Sequence, residues 1–502
     1  MILCGKYVSE LTFRRVYARL PPSNRKGNTM LIGRDDETGK LKETLVGDAS
    51  EFVAVYGRRR VGKTYLIRES FDNRFAFYHT GVAGIDRKDQ IDRFVRSLRQ
   101  HGFAVRRRPS DWFAAFDLLE DGLSRLPDGK KVVFIDELPW METPKSNFIS
   151  ALEAFWNGWA SARNDIVLVV CGSATSWMTD KIVNARGGLH NRLTRRIRLE
   201  PFTLAECERF AQAKGVVATR RQLLEYYMVM GGVPYYWNYI RKDRSPAQNI
   251  DAMFFAAGGD LRDEYGHLYA SLFKKPRRHI AVVEALATRK VGMTREELIR
   301  ATGLSDNGAF GTALSELAEC GFLRRYRVPG KKSHDAVYQL VDNFTLFHHR
   351  FLEDLDPAES VSWTALQNTP AVQVWRGLSF ERVCLSHAEQ IKRKLGISGM
   401  LTRQYAWRSR AGGTEPGAQI DLLIERADDA VNICEMKYSA GEYEIGKEES
   451  TRMLNRRNRF VEETGLRGAA YLTFVTTCGV AHNAYWNDIQ SEVILDDLFA
   501  DS

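Results

Sequence analysis

The residues with the clearest chemistry are Gly57-Arg58-Arg59-Arg60-Val61-Gly62-Lys63-Thr64. They satisfy the pattern G-x-x-x-x-G-K-[ST] completely. Such a loop wraps backbone N–H groups around phosphates, and the helix it opens favours negative charge at its N-terminus. Lys63 is expected to reach the β- and γ-phosphates of a nucleotide, and Thr64 to hold Mg²⁺ through its hydroxyl. Downstream, the apolar run KVVFID ends in Asp136 and is followed by Glu137. An acid that ends a buried strand is costly unless it is used. Asp136 suits the hydration shell of the same cation, and Glu137 suits orienting or deprotonating an attacking water. A third apolar run, IVLVVCGSA, carries Ser173, whose hydroxyl is a candidate sensor of the γ-phosphate. ATP and Mg²⁺ are the cofactors this set implies.

A second constellation lies near the C-terminus. Gln419-Ile420-Asp421-Leu422-Leu423-Ile424 and Val431-Asn432-Ile433-Cys434-Glu435-Met436-Lys437 read as two strands joined by the polar turn ADDA. Strand side chains alternate faces, so Glu435 and Lys437 point the same way. A turn centred near residue 428 puts Asp421 opposite Glu435, give or take one position. Two carboxylates so close repel unless a cation joins them, so Asp421 and Glu435 are expected to hold a divalent metal. Lys437 would then orient water or stabilise charge on a phosphodiester.

The elements that must position these residues follow from pattern. The runs at 52–56, 131–136 and 166–174 are nearly continuous and β-branched, as strands buried on both faces must be. Mixed stretches at 89–101, 111–125 and 146–162 read as helices between them. Strand and helix in alternation predict an α/β fold with a parallel sheet. Residues 203–275 read as helical and aromatic. Thr294-Arg295-Glu296-Glu297 is a capping box that launches a short helix. Ser305 is expected to cap a second helix, and a basic ribbon follows with Arg324, Arg325, Arg327, Lys331 and Lys332 around a turn at Pro329-Gly330. Helix, turn, helix and hairpin is the winged helix-turn-helix plan, whose basic residues would meet DNA phosphates.

Length and composition agree with this. The 502 residues allow about three domains. A hydrophobic fraction of 44% is too high for a disordered chain. The formal charge of +9 is compatible with nucleic acid. The seven cysteines are scattered with no C-x-x-C pair, which suggests neither a disulfide framework nor a zinc site. No apolar run is long enough to cross a membrane and no secretory signal is evident, so a cytoplasmic location is expected.

Four features together resemble the archaeal-type ATPase family, P-loop ATPases close to the AAA+ and STAND groups. They are Leu31-Ile32-Gly33-Arg34-Asp35-Asp36-Glu37, the phosphate loop, the run Ile135-Asp136-Glu137-Leu138-Pro139-Trp140, and Gly231-Gly232-Val233-Pro234. The resemblance covers residues 31–345. It implies that Gly33 and Arg34 lie near the adenine edge, and that the segment ending in Pro234 closes over the nucleotide as a lid. It also implies that an arginine among Arg186, Arg192, Arg195 and Arg196 faces the γ-phosphate, without choosing one. Asp421, Glu435 and Lys437 resemble the core motif of the PD-(D/E)xK restriction-endonuclease-like fold, although the usual proline before the aspartate is missing. Relatives of that kind often add a glutamate from the preceding helix, which implies Glu381.

The expected organisation is an extension over 1–29, an ATPase core over 30–202, a helical lid over 203–277, a winged helix over 278–345, a linker over 346–372 and a nuclease-like domain over 373–502. The expected function is ATP hydrolysis that controls DNA binding or cleavage by the last domain. RNA is not distinguished from DNA, and a homo-oligomer or a protein partner is compatible. The alternative is an ATP-dependent DNA-binding or signalling switch with a silent nuclease-like fold.

Overall fold

The computed structural model of the chain describes residues 31–185, 187–273, 275–326, 336–355, 361–409 and 418–501. The extension expected over 1–29 lies outside the described residues, as do Arg186, Arg327, Lys331, Lys332 and the turn at Pro329-Gly330. The chain divides into two compact units, the first ending at Glu200 and the second beginning at Pro201.

The first unit is built on β1 (Glu51–Tyr56), β2 (Phe77–Thr80), β3 (Lys131–Asp136), β4 (Ile166–Gly172) and β5 (Arg195–Arg198). All neighbours pair in parallel, in the order β2-β3-β4-β1-β5. Successive side chains of the inner strands enter two different cores. Phe52, Ala54, Val133, Ile135, Leu168 and Val170 face one, filled by α1 (Arg87–Gln100), α2 (Trp112–Ser124) and α3 (Phe148–Gly158). Val53, Val55, Val132, Phe134, Val167 and Val169 face the other, with Leu66 and Ile67 from the helix Lys63–Ser70. Burial on both faces is why these runs are continuously apolar. The outer strands carry no such signal. β2 is four residues long, and β5 reads Arg-Arg-Ile-Arg with only Ile197 buried. Neither is legible as a strand from composition.

A partly buried ion cluster fixes the start of β3. Lys131 donates to Asp165 Oδ2 at 2.6 Å, and Arg163 donates to both carboxylate oxygens at 2.7 Å. The Arg163 fork and the Lys131 ammonium hold the Asp165 carboxyl down at about 2, against the pull of its burial.

The second unit combines helices with two further sheets. Three helices, α4 (Arg277–Ala287), α5 (Arg295–Thr302) and α6 (Gly308–Glu319), accompany a small antiparallel sheet of β6 (Met293–Thr294), β7 (Leu323–Tyr326) and β8 (Val337–Leu340), ordered β6-β8-β7. The capping box at Thr294 and Glu297 is formed. The cap of α6 is Asn307, not Ser305: its Oδ1 accepts from Phe310 N at 3.1 Å. A cap must stand two or three residues before the amide it satisfies, and the chain enters the helix two residues later than expected.

The last sheet is mixed, with β9 (Thr402–Arg408), β10 (Gln419–Arg426), β11 (Val431–Lys437), β12 (Ala470–Thr476) and β13 (Ser491–Ile494) in the order β13-β12-β11-β10-β9. The first three are antiparallel neighbours and the last three parallel ones. One face meets α7 (Pro370–Ser386) and the other meets α8 (Lys447–Thr464). The segment expected as a linker over 346–372 contributes to the core. The helix Asn343–Phe351 runs through its start, and Phe347, Trp363 and Val372 are buried. The rings of Phe347, Phe351, Trp363 and Trp375 pack edge-on or tilted, with centroids 5.2–5.5 Å apart. Polar residues between them mask this periodicity in the sequence.

Asp165→Asn is expected to destabilise the protein by about 2 kcal/mol at neutral pH. The carboxylate's folded value lies below its unfolded one. Its contribution is therefore full above the unfolded value and disappears as pH falls through the folded one. Urea unfolding of wild type and variant should show the difference narrowing from about pH 4 toward about pH 2.

Candidate functional site

The phosphate loop is held open by its own backbone. Gly57, Arg60 and Gly62 have φ of 146°, 71° and 91°. At Gly57 a β-carbon would stand 2.2 Å from the Leu199 carbonyl oxygen, so the loop passes too close to the chain after β5 for any side chain. Val61 is buried among Val53, Leu66 and Ile67 and anchors the loop's far side. Lys63 Nζ donates to the Gly57 carbonyl at 2.9 Å and to the Arg58 carbonyl at 2.8 Å, so its ammonium lies across the loop. Arg58 is buried, and Arg59 is half-buried.

The acids arrive from the neighbouring strands. β4 lies between β1 and β3, so the carboxyl ends of all three face the loop. Thr64 Oγ1 donates to Asp136 Oδ2 at 2.9 Å. The other Asp136 oxygen accepts the Glu137 amide at 2.9 Å. A hydroxyl and a carboxylate so placed are hard oxygen donors of the kind that Mg²⁺ takes, and this pair fits that ion. Glu137 has φ of 47°, which turns it away from the strand line. Its carboxylate accepts the Ser173 hydroxyl at 2.9 and 3.1 Å. Ser173 thus engages Glu137 directly.

Gly33 and Arg34 are also left-handed, at φ 67° and 64°. Arg34 is buried, with Nη2 donating to the Glu200 carbonyl at 2.5 Å and Nη1 3.6 Å from Glu37. It ties the start of the first unit to its end. Among the candidate arginines, Arg195 pairs with Glu43 at 2.7 Å, while Arg192 and Arg196 are exposed. Pro234 belongs to the second unit, where it opens a short helix through Trp237.

Gln90 is a residue that pattern reading passes over. It is fully buried, and its amide donates to the Val82 and Trp140 carbonyls at 2.6 and 2.8 Å. It therefore braces the segment after Glu137. The signal was present: Gln90 interrupts the apolar stripe of α1 one turn before Phe94.

At the acidic hairpin, Leu422 pairs with Cys434, which sets Asp421 level with Glu435. A β-bulge against β9 falls between Ile420 and Leu423. Ile420 and Leu423 enter the core beneath α8, while Leu422 enters the core beneath α7. Strict alternation therefore breaks at Asp421. The two carboxylates take different cations. Glu435 accepts from Lys437 at 2.9 Å and from Arg456 of α8 at 2.7 Å. Lys437 also meets Glu449 at 2.9 Å. Burial raises the Glu435 carboxyl, but Lys437 and Arg456 outweigh it and leave it below the usual range. Asp421 lies 3.8 Å from Lys290, whose ammonium also sits 2.8 Å from Glu381. Burial and the nearby Asp421 raise the Glu381 carboxyl.

Among the described residues, no three acidic, histidine or cysteine side chains come together as a metal-binding group. At the expected metal pair, Lys290 stands 3.8 Å from Asp421 while Lys437 and Arg456 hold Glu435, so a metal there would compete with protein cations. The helix carrying Glu381 runs from Pro370 to Ser386 and places Glu381 in its second half. Arg324 does not stand out toward a phosphate: it is half-buried and donates to the Asp421 carbonyl at 3.2 Å. Lys290, Arg456 and Glu449 were not foreseen, since only tertiary packing brings their helices and turn to this sheet.

Residues 31–240 match the family model of an ATPase domain found predominantly in Archaea. An ATPase domain of that type occupies this stretch. An uncharacterized protein of Methanocaldococcus jannaschii is 24% identical over 412 residues, covering 80% of this chain and 85% of that one. Among solved structures, the Walker-type ATPase of Pyrococcus abyssi is 14% identical and covers 65% of this chain and 99% of that chain, with a TM-score of 0.46. The ORC2 protein of Aeropyrum pernix is 15% identical and covers 65% of this chain and 95% of that chain, with a TM-score of 0.41. No helix among the described residues is long and apolar enough to cross a membrane.

Glu137→Gln is expected to keep nucleotide binding and lower the ATP hydrolysis rate by about a hundredfold or more, the scale of a lost general base. Ser173→Ala, which removes only the group orienting Glu137, should lower kcat less and leave KM nearly unchanged. Steady-state phosphate release measures both.

Proposed function

We propose that the protein is a Mg²⁺-dependent ATP hydrolase whose ATPase domain controls how the second unit engages DNA. The reading rests on one observation above all, the 2.9 Å contact of Thr64 with Asp136 beside a phosphate loop spanned by Lys63. Backbone N–H groups of residues 57–64 would cradle the phosphates, and Lys63 would exchange its carbonyl partners for phosphate oxygens. Thr64 and Asp136 would hold Mg²⁺, which supplies electrostatic stabilisation of the phosphate oxygens when bound. Glu137 would take a proton from the attacking water, with Ser173 fixing its carboxylate. Gly33, Arg34 and Pro234 are assigned to nucleotide contact by the family resemblance.

In the second unit, residues 278–345 are read as a winged helix. Residues 373–502 are read as a restriction-endonuclease-like domain centred on Asp421, Glu435 and Lys437, with Glu381. The level pairing of Asp421 and Glu435 at a bulge supports this, because bulges re-aim side chains next to active sites. DNA is the nucleic acid proposed. A second reading, an ATP-driven switch with a silent nuclease-like fold, draws on two observations. Lys290 pairs with Glu381 and stands 3.8 Å from Asp421, and Lys437 and Arg456 pair with Glu435. The α6 face offers Ser315, Glu316 and Glu319, with Glu316 bonded to His279 at 2.6 Å, which is a poor surface for a phosphate backbone.

Plasmid cleavage with Mg²⁺ or Mn²⁺, with and without ATP, separates the two. The nuclease reading expects nicking that vanishes in Glu435→Ala and loses its ATP dependence in Lys63→Ala. Intact ATP hydrolysis with no cutting under any condition gives the switch reading first place.

A further inference from the structure

We propose that Lys290 is a working member of the acidic site, the resident cation of Glu381 and Asp421, and that it excludes a divalent metal until its side chain withdraws. The proposal rests on the nuclease-like reading of the hairpin and deepens it. Lys290 comes from the turn between α4 and β6, far from the hairpin in sequence, and nothing in the motif points to it.

The geometry is that of a competitor. The Lys290 ammonium stands 2.8 Å from Glu381 Oε1 and 3.8 Å from Asp421 Oδ2. A divalent ion joining these carboxylates would need the same oxygens at about 2.0–2.6 Å. An ammonium at Glu381 Oε1 therefore competes with an ion that bridges this pair of oxygens. Among the described contacts, Glu381, Asp421, Glu435 and Glu449 are met by Lys290, Lys437 and Arg456. Lys437 and Arg456 serve Glu435 and Glu449. Among the described residues, Lys290 is the cation in direct ion-pair contact with Glu381 and Asp421, while the buried Arg382 acts on them from farther away.

The turn is also built to keep the ammonium in place. The Lys290 carbonyl accepts from Gln339 Nε2 at 2.7 Å and from Arg382 Nη2 at 3.3 Å. Arg382 is buried and follows Glu381 on α7, so one helix holds both the base of the lysine and the acid at its tip. Two residues on, Gly292 has φ of 78°, and a β-carbon there would lie 2.3 Å from the Tyr338 carbonyl oxygen. The turn is thereby pinned against β8. A cation tethered this way acts at high effective concentration, which free metal must overcome. The side chain itself is 38% exposed, and its flexible stem can swing to solvent without disturbing the turn.

The test is Mn²⁺ binding to the full chain without nucleotide, read from the electron paramagnetic resonance signal of free Mn²⁺. An Asp136→Asn background removes the phosphate-loop site. In that background, Lys290→Gln and Lys290→Met are expected to bind Mn²⁺ about tenfold or more tighter than the parent. Lys290→Arg should match the parent, and adding Asp421→Asn to Lys290→Gln should abolish the gain. Equal tight binding in the parent and Lys290→Gln would overturn the role of Lys290 while leaving the nuclease-like reading standing. No binding in the parent or either neutral variant, with folding verified by circular dichroism, would overturn both.

Discussion

The inner strands β1, β3 and β4 are buried on both faces, and this constraint organises the first unit. Side chains of alternate residues fill two cores, so no polar group along these strands has water to turn to. Polar chemistry is pushed to their carboxyl ends. There Asp136, Glu137 and Ser173 emerge together, because β4 separates β1 from β3 and brings its own end between them. The same constraint explains the Lys131–Asp165–Arg163 cluster at the opposite end of β3. A buried lysine at a strand's first residue needs a carboxylate partner, here Asp165, whose other contacts Arg163 completes.

Within that frame the phosphate loop is a matter of close approach. Gly57 has no room for a side chain beneath Leu199, and Val61 pins the loop to the core. These protein contacts shape the loop, which lowers the cost of ordering it around a nucleotide. The Thr64–Asp136 and Ser173–Glu137 contacts extend the same preorganisation to the two acids.

The C-terminal sheet follows a different logic. Its acids are not hidden at strand ends. They sit in a hairpin with a bulge at Asp421, met by Lys437 of the hairpin itself, Lys290 of the turn before β6 and Arg456 of α8. Charges so placed are stable only as a network, and removing one member unbalances its neighbours. That is why Asp421 and Glu435, which look like an equivalent pair on paper, differ in their partners and surroundings.

The linear chain by itself determined the phosphate loop, the acidic strand end, the two-faced inner strands, the capping box at Thr294 and, to within one position, the pairing of Asp421 with Glu435. Each is a local signal: a spacing, a periodicity or a turn length read within about twenty residues. Tertiary structure decided the rest. The edge strands β2 and β5 exist only because a buried neighbour offers them hydrogen bonds. Trp363 and Phe347 turned an expected linker into core because aromatic partners from other helices meet them there. Ser173 acquired Glu137, Gln90 acquired the Trp140 carbonyl, and Glu381 and Asp421 acquired Lys290 through contacts between segments far apart in the chain. Local periodicity reports which face of an element is buried, but not which distant charge will be waiting on the other side.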